Sequence, residues 1–177
     1  MHTSVAASRL GGQLVRFYPE NTLRLDVAGQ RLYPDCAFRL SLPGRPTFCY
    51  TVELDNSTER VYSPQDKDSW QRKIRLYEQY QDGVSGRFRV LVVATRSQQR
   101  VTNILAAAAD LLHNPHRSLF YGIHLPMYLD DGNPLRSPLF QDNRSLMKRL
   151  LPPHSTSRPR AVRYLPSVEL APSALTA

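Results

Sequence analysis

Residues 33–55 have the sequence YPDCAFRLSLPGRPTFCYTVELD, which is two apolar runs joined by a turn containing Gly44 and two prolines. The pair Pro34-Asp35 precedes the first run, and Glu53 and Asp55 end the second. If the runs are neighbouring antiparallel strands, the start of the first lies beside the end of the second. The stretch therefore predicts that three carboxylates meet at one edge of a sheet, as in a divalent-metal site that acts on phosphates.

Side chains alternate in character along residues 48–55, as expected for a strand. The predicted apolar face holds Phe48, Tyr50, Val52 and Leu54, and the opposite face holds Cys49, Thr51, Glu53 and Asp55. The first face is predicted to be core, and the second becomes acidic toward its end.

Three short β-rich runs lie at residues 15–18, 22–27 and 31–40. The third of them includes the first apolar run of the stretch 33–55. A turn at residues 28–30 predicts a hairpin between the second and third runs. A first helix is predicted from Ser63, as its cap, and Pro64, as its first residue, to the glycines at 83 and 86. Its apolar stripe is formed by Trp70, Ile74, Tyr77 and Tyr80.

The following segments alternate between strand and helix patterns. Residues 88–95 are almost continuously apolar, which predicts a central strand covered on both faces. A helix is predicted over 98–112 and a strand over 118–125. The order β-β-β-α-β-α-β indicates an α/β fold in which a mixed central sheet is flanked by helices.

Composition limits the domain organisation and the partners. The 177 residues carry a formal charge of +8, and 41% of them are hydrophobic, enough for one domain with a real core. We predict an irregular lead-in over 1–14, the α/β domain over 15–127, a C-terminal extension over 128–151 with a short helix at 144–151, and a flexible basic, Pro-rich tail over 152–177. An excess of positive charge favours an anionic partner, either nucleic acid or an acidic membrane surface.

The excess charge is concentrated at the C-terminal end. Residues 143–177 contain six basic residues and one acid, a net +5. These basic residues either bind the phosphates of a nucleic acid or only add nonspecific charge. They are Arg144, Lys148, Arg149, Arg158, Arg160 and Arg163.

Targeting signals and cysteine usage bear on the compartment. The sequence has no apolar run of about 18 residues and no secretion-signal pattern at its start, so we expect a cytoplasmic protein without a membrane segment. Cys36 and Cys49 are predicted to face opposite sides of the sheet and to be free thiols.

Several stretches together resemble the bacterial replication-relaxation family, which is associated with plasmids and other mobile elements. They are LRLDV, YPDCAFRL, FCYTVELDNSTE, DSWQRKIRLYEQY and RVLVVATRSQQRVTNIL, within residues 15–125. The core of that family is similar to the PD-(D/E)xK restriction-endonuclease-like fold. The resemblance implies a DNA-processing protein in the bacterial cytoplasm.

The resemblance also implies a chemistry. Asp35 and Glu53 match the acids that hold Mg²⁺ or Mn²⁺ in such nucleases, and Asp55 is a further candidate ligand. The metal polarises the phosphate and lowers the pKa of an attacking water.

The chain departs from the motif at the position of its lysine. The lysine is expected two residues after the second acid, where Asp55 stands. Lys73, on the predicted helix, is the candidate replacement for stabilising charge at the scissile phosphate. The alternatives are that Asp35 is an ordinary turn residue, that Glu53 and Asp55 lie on a solvated edge, and that Lys73 is a surface lysine.

The residues and the resemblance leave three candidate functions from different classes. The first is a metal-dependent DNA endonuclease or nickase, and the second a catalytically inactive nuclease-fold module that binds DNA. The third is an assembly subunit of a DNA-processing complex. Because only about 14 residues precede the first strand, too few for a winged helix, we expect either a truncated form or a protein partner that supplies sequence recognition.

Other sites are disfavoured by the sequence. His113, His116 and His124 do not have zinc-site spacing, since Pro115 interrupts the helix geometry and no cysteine pair accompanies them. The sequence also lacks the nucleophile elbow of serine hydrolases and the phosphate-binding loop of NTPases.

Overall fold

The chain folds around a seven-stranded mixed sheet in a computed structural model that describes residues 2–63, 65 and 69–151. The helices are α1 (His2–Ser8), α2 (Trp70–Gly83), α3 (Gln98–Leu111) and α4 (Leu125–Asp130). The strands are β1 (Gln13–Tyr18), β2 (Leu25–Val27), β3 (Gln30–Leu32), β4 (Cys36–Ser41), β5 (Phe48–Asp55), β6 (Phe88–Ala94), β7 (Phe120–His124), β8 (Phe140–Asp142) and β9 (Met147–Lys148).

The strand order of the large sheet is β1-β4-β5-β6-β7-β8-β9. Strands β5, β6 and β7 run parallel to one another, and the pairs on either side of them are antiparallel. The hairpin β2–β3 forms a separate two-stranded sheet. The predicted α/β class, with a mixed sheet flanked by helices, is confirmed.

Both faces of the sheet are covered by packed side chains. Helices α2 and α3 and the β2–β3 hairpin bury one face around Val90, Val92 and Tyr77. Helix α1 and residues 135–151 bury the other face around Leu40, Leu91 and Phe140. Strand β6 is therefore central and covered on both faces, as predicted from its continuous apolar run.

Strand β5 alternates as the sequence predicts except near its end, where Leu54 of the predicted core face is 49% exposed. Tyr50 and Val52 pack in the cluster on the α1 side, whereas Thr51, Glu53 and Asp55 alternate with them. The acidic face is not solvated, because Glu53 and Asp55 are both buried under α2 and α3. The interpretation as a solvated edge is therefore wrong.

Helix α2 begins later than predicted, at Trp70. Ser69 is its cap, since its hydroxyl oxygen accepts the Arg72 N–H at 3.4 Å and its hydroxyl donates to the Ser63 carbonyl at 3.0 Å. A serine immediately before the apolar stripe caps the helix more directly than one six residues upstream. Pro64 lies outside the described residues.

Two further elements near the N-terminus differ from the predictions. Residues 2–8 form helix α1 rather than an irregular lead-in, and they bury Ala6 and Ala7 against the sheet. The predicted strand over 31–40 is divided into β3 and β4. The break falls at Tyr33-Pro34-Asp35, because proline has no N–H to donate to a strand ladder.

The helix predicted over 144–151 is wrong. This segment contains β9, and Leu150 and Leu151 are buried in the core. The carboxylate of Asp142 accepts the N–H groups of Arg144 and Leu146, at 3.0 and 2.8 Å, and local bonds of this kind compete with a helix.

Two further observations concern the helices and the cysteines. None of the helices within residues 2–63 and 69–151 is long and apolar enough to cross a membrane. Both cysteines are free thiols, with Cys36 packed on the α1 side and Cys49 on the α2 side of the sheet.

Candidate functional site

Asp35 and Glu53 lie together at one end of the β4–β5 pair. Cys36 pairs with Val52, so the register continued by one residue places Asp35 opposite Glu53. The Leu54 N–H donates to Asp35 Oδ2 at 2.6 Å, which holds the aspartate against β5. Asp35 therefore does not act only as a turn residue, because its carboxylate accepts a hydrogen bond from the strand that carries Glu53.

Lys73 reaches Glu53 of this pair from helix α2. Its Nζ lies 2.8 Å from Glu53 Oε2 and 2.7 Å from Glu59 Oε1. It also lies 5.4 Å from the centroid of the Trp70 ring. The ammonium is therefore a partly buried cation between two carboxylates, and the interpretation of Lys73 as a solvent-exposed surface residue is wrong.

Glu53 is the most buried carboxylate of the cluster, with a relative exposure of 1%. The Tyr77 hydroxyl donates to Glu53 Oε1 at 2.5 Å, and Lys73 donates to the other oxygen. Burial raises the pKa of Glu53 above its usual value, while the Lys73 ammonium and the Tyr77 hydroxyl oppose that rise. The Glu53 carboxylate thus accepts hydrogen bonds from two fixed donors and is shielded from water.

Lys73 remains protonated at neutral pH. Burial alone lowers the pKa of an ammonium. Here the charges and hydrogen bonds of Glu53 and Glu59 outweigh burial, and the pKa of Lys73 lies above its ordinary value. The group is therefore suited to stabilising negative charge and not to accepting a proton.

Glu59 is a member of the cluster that the sequence did not single out. One of its oxygens binds Lys73, and the other, Oε2, is buried with no hydrogen-bond partner among the described residues. Its backbone carbonyl accepts from Arg100 Nη2. No spacing rule links a loop glutamate to a helix lysine 14 positions later, so this contact was not predictable from the pattern.

Asp55 has a different environment from the other acids. Its carboxylate accepts from Trp70 Nε1 at 2.7 Å, from Arg100 Nε at 2.8 Å and Nη2 at 3.0 Å, and from the Ser57 N–H at 2.9 Å. Although burial opposes it, the bonds from Arg100 and Trp70 lower the pKa of Asp55. With two donors on each oxygen, the Asp55 carboxylate has a structural role here, and its role as a metal ligand stays a prediction.

Cys36 lies beside Asp35 and Glu53, and its thiol is unreactive. Burial, followed by the charges of Asp35 and Glu53, raises the pKa of its thiol to about 11. The thiolate is therefore scarce at neutral pH, and Cys36 is not a candidate nucleophile.

The candidate phosphate-binding residues within the described part of the chain lie toward the β9 edge of the sheet, away from Glu53. Lys148 Nζ is 3.3 Å from Asp142 Oδ2, and Arg144 donates to the His116 carbonyl at 3.2 Å. Strand β9 is four strands from β5, about 19 Å at the usual strand spacing. Arg149 is exposed, and Arg158, Arg160 and Arg163 lie outside the described residues.

His113 and His116 have different surroundings in the structure. His113 contacts the Glu78 carboxylate at 2.9 Å, and His116 is exposed. Within the described part of the chain, no group of three or more His, Cys, Asp or Glu side chains is arranged to hold a metal ion.

Two carboxylates nevertheless fit a magnesium ion. Mg²⁺ is commonly held by one or two carboxylates, with water and substrate phosphate completing its shell. Asp35 Oδ1 has no hydrogen bond to a described residue, and each oxygen of Glu53 accepts one hydrogen bond, from Tyr77 or from Lys73. A carboxylate oxygen has two lone pairs, so both acids keep hard oxygen donors for a metal, and the residues present are compatible with the ion.

Comparison with known proteins gives no relative from which to assign a function. Searches of family models, curated proteins and solved structures found no match to this chain.

Proposed function

We propose that the chain is a metal-dependent DNA endonuclease or nickase with a restriction-endonuclease-like core, of the replication-relaxation kind found on plasmids and mobile elements. Asp35 and Glu53 hold Mg²⁺ or Mn²⁺, and Lys73 stabilises negative charge at the scissile phosphate. The observation that carries the proposal is the 2.8 Å contact between Lys73 Nζ and the buried Glu53. A helix residue here supplies the cation that the motif normally has on the strand.

Each residue of the cluster has a distinct task in this proposal. When bound, the metal supplies polarisation of the phosphate and a water of lowered pKa. Glu53 and Glu59 hold the Lys73 ammonium in place and keep it charged, so its cost of reorganisation during the reaction is small. Tyr77 fixes Glu53, and the Leu54 N–H fixes Asp35.

A supercoiled-plasmid assay with the parent protein tests the proposal. Cleavage is expected in Mg²⁺ or Mn²⁺ and is expected to stop in EDTA. Asp35→Asn is expected to lower the rate by about 10- to 100-fold, because the amide keeps one ligand oxygen but loses the charge.

The matched control is Asp26→Asn, a change at an exposed aspartate on hairpin β2–β3. It removes the same charge away from the cluster and is expected to leave cleavage unchanged. Cleavage that persists in EDTA, or that survives Asp35→Asn, would remove the metal assignment.

A catalytically inactive DNA-binding module is the second candidate. It is favoured by the hydrogen bonds that occupy both oxygens of Glu53 and by the aspartate at the position of the motif lysine. In this candidate the basic residues toward the C-terminus hold the DNA backbone, and a protein partner supplies sequence recognition. The parent protein would bind plasmid without cutting it in any metal.

Deletion of residues 152–177 is expected to flatten the salt dependence of DNA affinity. The deletion removes Arg158, Arg160 and Arg163, and the removal of each arginine that binds a phosphate reduces the slope of log affinity against log salt by about 0.9 for duplex DNA. Fluorescence anisotropy at several salt concentrations measures the slope. An unchanged slope would show that the tail does not bind phosphates, and recovery of protein partners without nucleic acid would favour the assembly subunit instead.

A further inference from the structure

A cavity lies on the same face of the sheet as Glu53 but toward the start of β5. Cys49, which lines it, precedes Glu53 by four residues, about 13 Å along a strand. The cavity has a volume of about 120 Å³ and is also lined by Tyr18, Tyr80 and Phe88. An apolar cavity of about 150 Å³ accepts a benzene ring, so this open cavity has the size for a single ring.

Aromatic rings line the cavity beside the aliphatic side chains of Leu23, Leu25, Ala37 and Val84. The rings of Tyr80 and Phe88 have centroids 5.7 Å apart, and Phe88 also contacts Tyr77 in the core. Phe88 is buried and Tyr80 is half-buried, so Tyr80 keeps accessible ring surface beside the opening. Aromatic faces of this kind favour a planar ring over an aliphatic chain.

Two polar groups of the lining lack partners in the described part of the chain. The Tyr18 hydroxyl is buried and makes no hydrogen bond there. Arg39 is half-buried, and its guanidinium has no hydrogen bond or ion pair with a described residue. Buried polar groups without partners are costly, and a half-buried cation without a counter-charge is unusual.

The charge around the cavity is uniformly positive. Arg16 is the cross-strand neighbour of Arg39 and lies 5.6 Å from the centroid of the Tyr18 ring. Arg87 also lines the cavity, and none of the described lining residues is acidic. Cross-strand neighbours of like charge destabilise a sheet, which a bound anion would offset.

From these contacts we infer that the cavity binds an aromatic ring that carries an anionic group, specifically a pyrimidine nucleotide. The ring packs against Tyr80 and Phe88, the phosphate pairs with Arg39, and the Tyr18 hydroxyl donates to a polar atom of the ligand. A free nucleotide and the end of a single strand present the same chemistry. Binding here is independent of cleavage at Glu53, so Glu53→Gln is expected to keep it.

Protection of Cys49 from alkylation tests the inference on the full chain. Burial raises the pKa of Cys49, so labelling is done at mildly alkaline pH and measured by mass spectrometry. Cys36, on the opposite face, is the internal reference in the same sample. Thymidine monophosphate is expected to slow labelling of Cys49 and not of Cys36, with thymidine weaker and inorganic phosphate ineffective.

Variants then assign the contacts. Arg39→Gln is expected to weaken protection by thymidine monophosphate about tenfold, the equivalent of one charge-assisted hydrogen bond. Tyr18→Phe removes the unpaired hydroxyl without loss of packing, so it is expected to fold normally and to weaken protection by a smaller factor. The matched control is Arg136→Gln, at an exposed arginine outside the cavity.

The possible outcomes separate the sources of the ligand and the competing explanations. Stronger protection by a phosphorylated oligothymidylate than by the monomer indicates a strand end, and equal protection indicates a free nucleotide. Equal protection by octanoate, an aliphatic anion, would overturn the specificity for a ring. No protection by either nucleotide form, or protection unaffected by Arg39→Gln, would overturn the site.

Discussion

Replacing Lys73 by methionine is expected to lower the rate of metal-dependent plasmid cleavage by roughly 100- to 1000-fold, the effect of removing one preorganised group that stabilises developing charge. Methionine keeps much of the volume and the apolar stem but has no ammonium. The group it removes lies within 2.8 Å of both Glu53 and Glu59. Initial rates of nicking and linearisation in Mg²⁺ measure the effect.

The same substitution is expected to destabilise the fold by about 3 to 5 kcal/mol at neutral pH, because it leaves Glu53 buried without its cation. Without Lys73, the pKa of Glu53 rises further above its unfolded value of about 4.3. A group with a raised folded pKa binds its proton more tightly in the folded state, so the variant loses stability as pH rises above that value. Denaturant unfolding at pH 5 and pH 8 is expected to show a larger deficit at the higher pH.

A double variant separates stability from catalysis. Lys73→Met with Glu53→Gln removes both charges, so most of the lost stability is expected to return while the cleavage rate stays at least as low as in Lys73→Met. Arg75→Met is the matched control, since Arg75 is an exposed cation on the same helix. A Lys73→Met protein that cleaves within about twofold of the parent rate would show that the lysine takes no part in the chemistry.

Much of the framework of this site follows from local patterns. The alternation along β5, the apolar stripe of α2 and the continuous apolar run of β6 are periodic signals, and each corresponds to an element of the structure. The register that sets Asp35 opposite Glu53 follows from two strands joined by a short turn. These features depend on neighbours in sequence, which a pattern can represent.

The rest of the site depends on contacts between distant parts of the chain. Arg100 meets Asp55 across 45 positions, and Glu59 meets Lys73 from a loop with no regular pattern. The sequence therefore did not separate Asp55 from the other two acids, although the residues on β5 alternate as expected. Burial of the acidic face was likewise missed, because α2 and α3 cover it only in the assembled fold.

Breaking the pair between Asp55 and Arg100 is expected to affect folding far more than chemistry. Arg100→Met leaves a carboxylate that is 1% exposed without its bidentate partner, at a cost of about 3 to 5 kcal/mol. Trp70 is the single tryptophan of the chain, and its indole N–H donates to Asp55, so intrinsic fluorescence reports unfolding at this point. Arg96→Met, at an exposed arginine just before α3, is the matched control and is expected to change stability by no more than about 0.5 kcal/mol.

The pH dependence gives this prediction a second measurement. The pKa of Asp55 is lowered in the folded state, so its stabilising contribution is present above the unfolded value of about 3.9 and is lost as pH falls through the folded value. The difference in stability between the parent and Arg100→Met is therefore expected to be full at pH 7 and to shrink below about pH 3.9.

Metal binding distinguishes this structural role from the role of a ligand. Asp55→Asn is expected to lower stability and to leave the Mg²⁺ affinity of the folded protein unchanged, because each oxygen of Asp55 already accepts two hydrogen bonds. Isothermal titration calorimetry with Mg²⁺, at a temperature where each variant is folded, compares it with Asp35→Asn, which is expected to weaken binding. A normally stable Asp55→Asn protein that loses Mg²⁺ affinity would return Asp55 to the ligand set, since Arg100 must then release it when the ion binds.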